Sequence, residues 1–201
     1  MKREIRIPKQ KRSIEKKNKI IESAYKIFNE KGYHNTNTAE IAKEAGLSTG
    51  CLYDYFIDKN DIFLEVLKMN NHNIKNIIHD KLALLPDDMD LLNIIQNLIN
   101  IFIEVHNHSE GFHKEVTALS YTHDEINKFI KSYENETILN RLANYFEKRN
   151  IILNHKKEKM LLLLNTVDSL CHELVYNNNQ TIDKDIYINQ CAHMLETMIK
   201  S

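Results

Sequence analysis

The fold of this chain is decided by residues 32–67, which read GYHNTNTAEIAKEAGLSTGCLYDYFIDKNDIFLEVL. Asn37 and Glu40 are spaced as a capping box, which predicts that a short helix begins after Asn37. Gly46 is a natural C-terminal stop for that helix. The apolar residues between these signals predict one buried face: Ile41, Ala42 and Ala45.

Three further helices are predicted around this one. Ser48 is placed as the N-cap of a short helix from Thr49 to Phe56. A preceding helix is expected to begin near Ser13 and to end at Gly32. Asp58 is expected to cap a long fourth helix, in which apolar residues recur at helical spacing. Two short helices joined by a glycine-containing turn are typical of a helix-turn-helix.

The rest of the chain also predicts helices. With 4 Gly and 2 Pro in 201 residues, it has too few of the turn-forming residues that β-hairpins and β-sandwiches need. Helical patterns run over 90–107, 110–121, 124–149, 156–177 and 184–200. We therefore predict an all-α fold in three parts: a basic N-terminal tail (1–12), a three-helix domain with the helix-turn-helix (13–59) and a helical-bundle domain (60–201).

Charge is unevenly distributed along the chain. Residues 1–60 carry 13 Lys and Arg against 8 Asp and Glu, whereas the remaining residues carry 14 against 20. A basic N-terminal part on an acidic body is typical of a protein that binds phosphates through one end. The alternative for the first residues is a solvated tail that only aids solubility.

The compartment is expected to be the cytoplasm. No apolar run approaches the roughly 20 residues that a membrane span needs, and the basic N-terminus has no apolar segment behind it. The three cysteines, Cys51, Cys171 and Cys191, are widely separated, so neither a disulfide framework nor a zinc ribbon is predicted.

The stretch quoted above resembles the N-terminal signature of the TetR family of bacterial transcription regulators. The resemblance covers roughly residues 13–69, with Asn37 standing where Ser or Thr is usual. Cys51 is a second departure, and its effect on base choice is open. The residues that match the family pattern are Gly32, Thr38, Ile41, Ala42, Ala45, Gly46, Ser48, Gly50, Leu52, Tyr53, Tyr55, Phe56, Asp58, Lys59 and Ile62.

The resemblance implies which residues contact double-stranded DNA. The recognition helix would present its first residues to base edges in the major groove, and Tyr53 and Tyr55 would face outward, although helical spacing alone leaves their exposure open. Lys59 would hold the phosphate backbone, and Leu52 and Phe56 would lie on the inner face. The predicted DNA-binding residues are Thr36, Thr38, Ser48, Thr49, Gly50, Cys51, Tyr53, Tyr55 and Lys59.

The last two helices are expected to form a homodimer. The family resemblance implies that they pair across a two-fold axis, and a helix-turn-helix needs two copies for useful specificity. The alternative is that their apolar residues form the core of their own chain. The predicted interface residues are Met160, Leu163, Leu164, Val167, Leu170, Leu174, Cys191, Leu195 and Met198.

A small-molecule site is expected between helices of the helical-bundle domain (60–201), because apolar cavities with a few polar groups bind such ligands. Most of the candidate ligand-binding residues could equally belong to the hydrophobic core. They are Phe102, His106, Phe112, Tyr121, Phe129, Tyr133, Phe146 and His172. The set His106, His108 and His113 does not predict a metal, because the first two point to different sides of a helix.

The predicted function is a one-component regulator, a repressor that binds a palindromic operator as a homodimer and is released by an unknown small-molecule effector. No cofactor, metal or membrane partner is expected. No nucleotide loop or hydrolase motif is present, so the chain is not predicted to be an enzyme. Two alternatives stay open: a DNA-binding regulator whose body binds a protein or no effector, and a helical enzyme.

Overall fold

The computed structural model describes residues 8–108, 110–177 and 181–201, with the backbone alone described at residues 108 and 131–138. Regular structure in these residues is helical and includes no strand, so the predicted all-α class is confirmed. The helices are α1 (Lys11–Lys31), α2 (Thr38–Glu44), α3 (Thr49–Tyr53), α4 (Lys59–Ala83), α5 (Leu91–His108), α6 (Glu110–Ser120), α7 (Asp124–Lys148), α8 (Lys156–Cys171) with a following π-helical turn (His172–Tyr176), and α9 (Lys184–Lys200).

The caps predicted for the helix-turn-helix are present. The Asn37 side chain accepts a hydrogen bond from the Glu40 N–H at 3.0 Å, and the Glu40 carboxylate accepts one from the Asn37 N–H at 3.4 Å. Ser48 Oγ accepts from the Cys51 N–H at 3.2 Å. Gly32 ends α1 with a φ of 79°, in the left-handed region that favours glycine. Local sequence signals therefore determine where these helices begin and end.

Two boundaries differ from the prediction. Helix α1 begins at Lys11, so Ser13 lies inside it, buried and without a capping role. Helix α3 ends at Tyr53 and not at Phe56, because the N–H groups of Asp54 and Tyr55 bond to carbonyls three residues back. This tighter hydrogen-bond pattern is common in the last turn of a helix.

The chain divides into two compact units. The N-terminal unit comprises the residues up to Asn73 together with Gly111–Ile126, and thus includes residues beyond the predicted 13–59 segment. Its core is rich in aromatic rings: the Phe63 ring centroid lies 5.3 Å from that of Phe28 and 5.3 Å from that of Phe112. Such edge-to-face and tilted pairs add stability beyond the area that they bury.

The C-terminal unit comprises Ile74–Glu110 and Asn127–Ser201. Helix α5 packs against α8 and α9, and α8 packs against α9. Buried apolar side chains of this unit come from four helices and include Ile94, Ile95, Ile99, Leu142, Phe146, Leu163, Val167 and Leu195. No helix in the described part of the chain is both long enough and apolar enough to span a membrane.

Candidate DNA-binding site and ligand cavity

The first turn of α3 is accessible to solvent. Ser48 and Gly50 are exposed, and Thr49 and Cys51 are half-buried. Leu52, on the opposite side, is completely buried, as predicted. The helix therefore turns its apolar side into the core and leaves its N-terminal residues accessible to a ligand.

A side-chain hydrogen bond connects the two helices of the motif. The Thr38 and Tyr53 hydroxyl oxygens lie 2.9 Å apart, and both residues are half-buried. Because Thr38 begins α2 and Tyr53 ends α3, the bond helps to set the angle between these helices. Both residues keep part of their surface accessible for a contact with DNA.

Two residues predicted to contact DNA are buried. Only 4% of the Tyr55 surface is exposed, and its hydroxyl lies 2.9 Å from Ser13 Oγ in α1. The expectation that Tyr55 faces outward is therefore wrong. Thr36 is also buried, and its hydroxyl donates to the Gly32 carbonyl at 2.7 Å. These side chains stabilise the unit from within, because buried hydroxyls need hydrogen-bond partners.

Lys59 is directed into the protein. Its ammonium group donates hydrogen bonds to the carbonyl oxygens of Tyr33 at 2.6 Å and Thr36 at 2.8 Å. Burial lowers the pKa of Lys59, and the nearby Glu115 carboxylate partly opposes that shift. With its ammonium bonded to two carbonyls, Lys59 is better placed to hold the loop before α2 than to bind a phosphate, which corrects its expected orientation.

Other cations of the N-terminal unit are exposed, and the list of predicted site residues left them out. They include Lys9, Lys11, Arg12, Lys19 and Lys43. Lys19 lies beside the turn of the motif, since a Cβ atom placed on Gly46 would be 3.6 Å from its Nζ. The excess of basic residues before position 20 is the sequence feature that could have indicated these exposed cations. Residues 1–7 of the predicted basic tail lie outside the described residues.

A cavity of about 620 Å³ lies in the C-terminal unit, within the size range of small-molecule sites. It is lined by α4, α7 and the residue Asp87 that follows α4. Its lining combines apolar with basic groups: Lys75, Asn76, Ile78, His79, Leu82, Ala83, Asp87, Arg141, Leu142, Asn144, Tyr145, Lys148 and Arg149. Arg141 and Tyr145 on α7 and Arg149 just after it recur every four residues, a polar pattern that could have indicated the cavity.

Two lining residues carry buried polar atoms without a hydrogen-bond partner among the described residues: Tyr145 Oη and Arg149 Nε. The Arg149 guanidinium lies 4.0 Å from the Tyr145 ring centroid and donates to the Leu85 carbonyl at 3.0 Å. Burial raises the pKa of Tyr145, the Arg149 charge lowers it, and Asp87 raises it. Unsatisfied buried groups of this kind are costly, and a polar ligand group would satisfy them.

None of the residues predicted to bind the ligand lines this cavity. Phe102 and Phe146 belong to the core of the C-terminal unit, and Phe112 to the aromatic core of the N-terminal unit. Tyr121 is 85% exposed. Phe129 and His172 are half-buried, His106 is buried, and the Tyr133 side chain lies outside the described residues. Large aromatic residues on helices mostly filled cores, the alternative that the sequence left open.

Residues 20–66 match the family model of bacterial regulatory proteins of the tetR family. Over this segment, the chain is similar to regulators of the TetR family. The HTH-type transcriptional regulator HbdR of Aromatoleum sp. (strain CIB) is 48% identical over 54 residues, which are 27% of this chain and 24% of HbdR. The chain thus matches about a quarter of the length of this relative.

Two further similarities extend past the matched segment. The negative transcriptional regulator IcaR of the biofilm operon icaADBC in Staphylococcus epidermidis is 28% identical over 152 residues, or 74% of this chain and 78% of IcaR. A crystal structure from Mesorhizobium loti MAFF303099, assigned to the TetR family, superposes with a TM-score of 0.75 at 22% identity, covering 94% of this chain and 98% of that one. The relatives are transcriptional regulators, in agreement with the prediction that the chain is not an enzyme.

Most residues that the TetR resemblance assigned to a dimer interface are buried within their own chain. They are Met160, Leu163, Val167, Leu170, Cys191 and Leu195. Helix α5 packs on both α8 and α9, so these side chains form part of the core of their own chain, the alternative that the sequence left open. Leu164, Leu174 and Met198 are only half-buried, so they stay candidates for contact with a second copy.

Proposed function

We propose that this chain is a TetR-family transcriptional repressor that binds a palindromic operator as a homodimer and is released by a small molecule. One observation carries DNA binding: a short helix, capped by Ser48 and buried at Leu52, exposes its first turn within the segment that matches the family model. The B-DNA major groove admits one such helix, whose side chains reach base edges. The negative regulator IcaR, similar over most of the chain, supports repression.

Exposed apolar side chains on the last two helices support a homodimer. Helix α8 leaves Leu162 55% exposed, and α9 leaves Met194 55% exposed. Tyr187 on α9 is a further exposed large side chain. Together with the half-buried Leu164 and Met198, they give these helices an apolar surface that pairing with a second copy would cover.

The cavity supports release by a ligand. Helix α4 carries Lys59 at its start and the lining residues Lys75 to Ala83 at its end. A ligand that displaces α4 would change the separation of the two recognition helices and so favour the state that does not bind the operator. A tenfold loss of DNA affinity requires a difference of about 1.4 kcal/mol in ligand binding between the two states.

Selection of bound duplexes from a random pool tests DNA binding and dimerisation together. We expect an inverted repeat whose half-sites are about 10 base pairs apart and an affinity that falls as salt rises. Thr49→Ala and Cys51→Ser should change the recovered half-site. Thr197→Ala, at an exposed position on α9, is the control and should recover the wild-type repeat. A monomer in sedimentation that leaves random duplexes unbound at low salt would refute the proposal.

Anilinonaphthalene sulfonate, an apolar anion that fluoresces in apolar surroundings, tests the cavity. We expect the dye to bind the wild-type protein and to weaken operator binding. Asn144→Trp would fill the cavity and abolish both effects. Asn140→Trp, one turn earlier on α7 and outside the lining, should leave both unchanged. A dye that binds equally well to both variants would place ligand binding elsewhere.

A further inference from the structure

Three polar side chains of the C-terminal unit converge from α5 and α8. His106 on α5 is buried, Asp168 on α8 is exposed, and His172 opens the π-helical turn after α8. His106 Nε2 lies 3.2 Å from Asp168 Oδ1, and His172 Nε2 lies 3.6 Å from Asp168 Oδ2. The three side chains each offer a ligand atom within 4.8 Å of the others. None of them lines the cavity or contributes to the helix-turn-helix.

The hydrogen bonding of His106 orients its outer nitrogen toward a carboxylate. Its Nδ1 lies 2.8 Å from the Phe102 carbonyl oxygen, and its Nε2 faces the Asp168 carboxylate. A neutral imidazole carries one N–H, so it can donate to only one of these two oxygens. Donation from Nδ1 to a backbone carbonyl is the arrangement that orients metal-binding histidines. It directs the Nε2 lone pair toward the carboxylate, where a metal ion would join both groups.

The separations between the ligand atoms also fit a metal ion. Metal–nitrogen bonds of about 2.0–2.1 Å in a tetrahedral site require ligand atoms about 3.3 Å apart. The distances of 3.2 Å and 3.6 Å are close to that value. Asp168 and His172 are four residues apart and so share one face of their helix. The π-helical turn that begins at His172 is a second signal, because such turns occur frequently at functional sites.

We propose that His106, Asp168 and His172 bind a divalent transition-metal ion of the zinc type. Imidazole nitrogen is a borderline ligand that suits zinc, cobalt or nickel, and zinc also accepts a carboxylate oxygen, whereas magnesium and calcium favour oxygen alone. The proposal departs from the sequence-based expectation of no metal, which considered His106, His108 and His113 because they are close in sequence.

Metal titration of the full-length protein tests the site. Protein stripped with a chelator and dialysed is titrated with Zn²⁺ by calorimetry and with Co²⁺ by visible absorption. We expect one ion per chain and Co²⁺ bands typical of nitrogen and oxygen ligands. Because changes in the second shell already weaken metal binding about 10- to 100-fold, Asp168→Asn and His172→Ala should weaken it at least as much. His193→Ala, at an exposed position on α9, should bind like the wild type.

Both informative variants replace side chains that are not fully buried, so circular dichroism should show their helical content unchanged. Wild-type protein that binds no stoichiometric Zn²⁺ would overturn the proposal. Equal Zn²⁺ affinity in the wild type, Asp168→Asn and His172→Ala would overturn it as well. The titration contains no DNA, so its result is independent of the proposed regulatory function.

Discussion

The side chain of Lys59 reaches back along the chain to Tyr33, donates a hydrogen bond to its carbonyl oxygen at 2.6 Å and places the ammonium nitrogen 4.2 Å from the centroid of its ring. A lysine above an aromatic face gains a cation–π interaction. The contact connects the start of α4 to the loop that follows α1. Lys59 matches the family pattern at a position where we expected a phosphate contact, yet its bonds are internal.

Lys59→Ala should destabilise the protein and leave the salt dependence of DNA binding unchanged. A hydrogen bond to a charged group contributes about 1.5–3 kcal/mol, and partial exposure of Lys59 reduces this to about 1–2 kcal/mol in the free energy of unfolding, measured with urea. Lys43→Ala, an exposed lysine in α2, should stay within about 0.5 kcal/mol of the wild type. A shallower salt slope for Lys59→Ala would restore its role as a phosphate ligand.

Tyr55→Phe should lower the free energy of unfolding by about 1 kcal/mol, because it removes a buried hydroxyl that pairs with Ser13. Ser13→Ala should cost a similar amount. The double variant should cost less than the two single changes combined, and a thermodynamic cycle of urea unfolding measures that coupling. Operator affinity of the folded Tyr55→Phe protein should equal that of the wild type. Additive costs would show that the bond contributes nothing.

Glu65→Gln should destabilise the protein at neutral pH and much less in acid. Burial raises the pKa of Glu65, but hydrogen bonds and charges from Lys17 and Lys68 more than offset this and lower it overall. A lowered carboxyl pKa adds stability above the unfolded value, which is lost as the pH falls through the folded value. We expect a loss of about 0.5–1 kcal/mol at neutral pH.

The pH dependence of that loss is measured by urea unfolding at several pH values. The difference between Glu65→Gln and the wild type should shrink below about pH 4. Glu22→Gln, at an exposed position on α1, provides the control and should show no such trend. A constant difference at all pH values would indicate that packing, and not charge, is lost.

Tyr145→Phe should keep or raise the free energy of unfolding, by up to about 1 kcal/mol, because Tyr145 Oη is buried without a partner among the described residues. The same change should weaken binding of the sulfonate dye if that hydroxyl donates to its anionic group. Urea unfolding and dye fluorescence measure the two effects. Tyr121→Phe, at a tyrosine that is 85% exposed and outside the cavity lining, should alter neither. Destabilisation by Tyr145→Phe would mean that the hydroxyl is already satisfied.

Local signals in the sequence predicted the helices well. The capping box at Asn37 and Glu40, the cap at Ser48 and the stop at Gly32 are all present. These signals act through hydrogen bonds between near neighbours, so they are readable from the chain alone. The expectation that Leu52 and Phe56 lie on the inner face was also correct, since both side chains are buried.

Residue contacts over long sequence separations could not be predicted in this way. Tyr55 is directed inward by Ser13, which is 42 residues away. The apolar residues of α8 are covered by α5 and α9, although their pattern also suited a partner subunit. Helical periodicity shows that a face is buried, but not which element covers it.

The amino-acid sequence by itself determined the all-α class, the limits of most helices and the TetR signature of the helix-turn-helix, because each depends on residues within a few turns of one another. Only the tertiary structure decided that Lys59 and Tyr55 bond internally, where the cavity lies, and that His106 meets Asp168 and His172. Those arrangements bring together side chains from helices far apart in sequence, and their packing decides which face solvent.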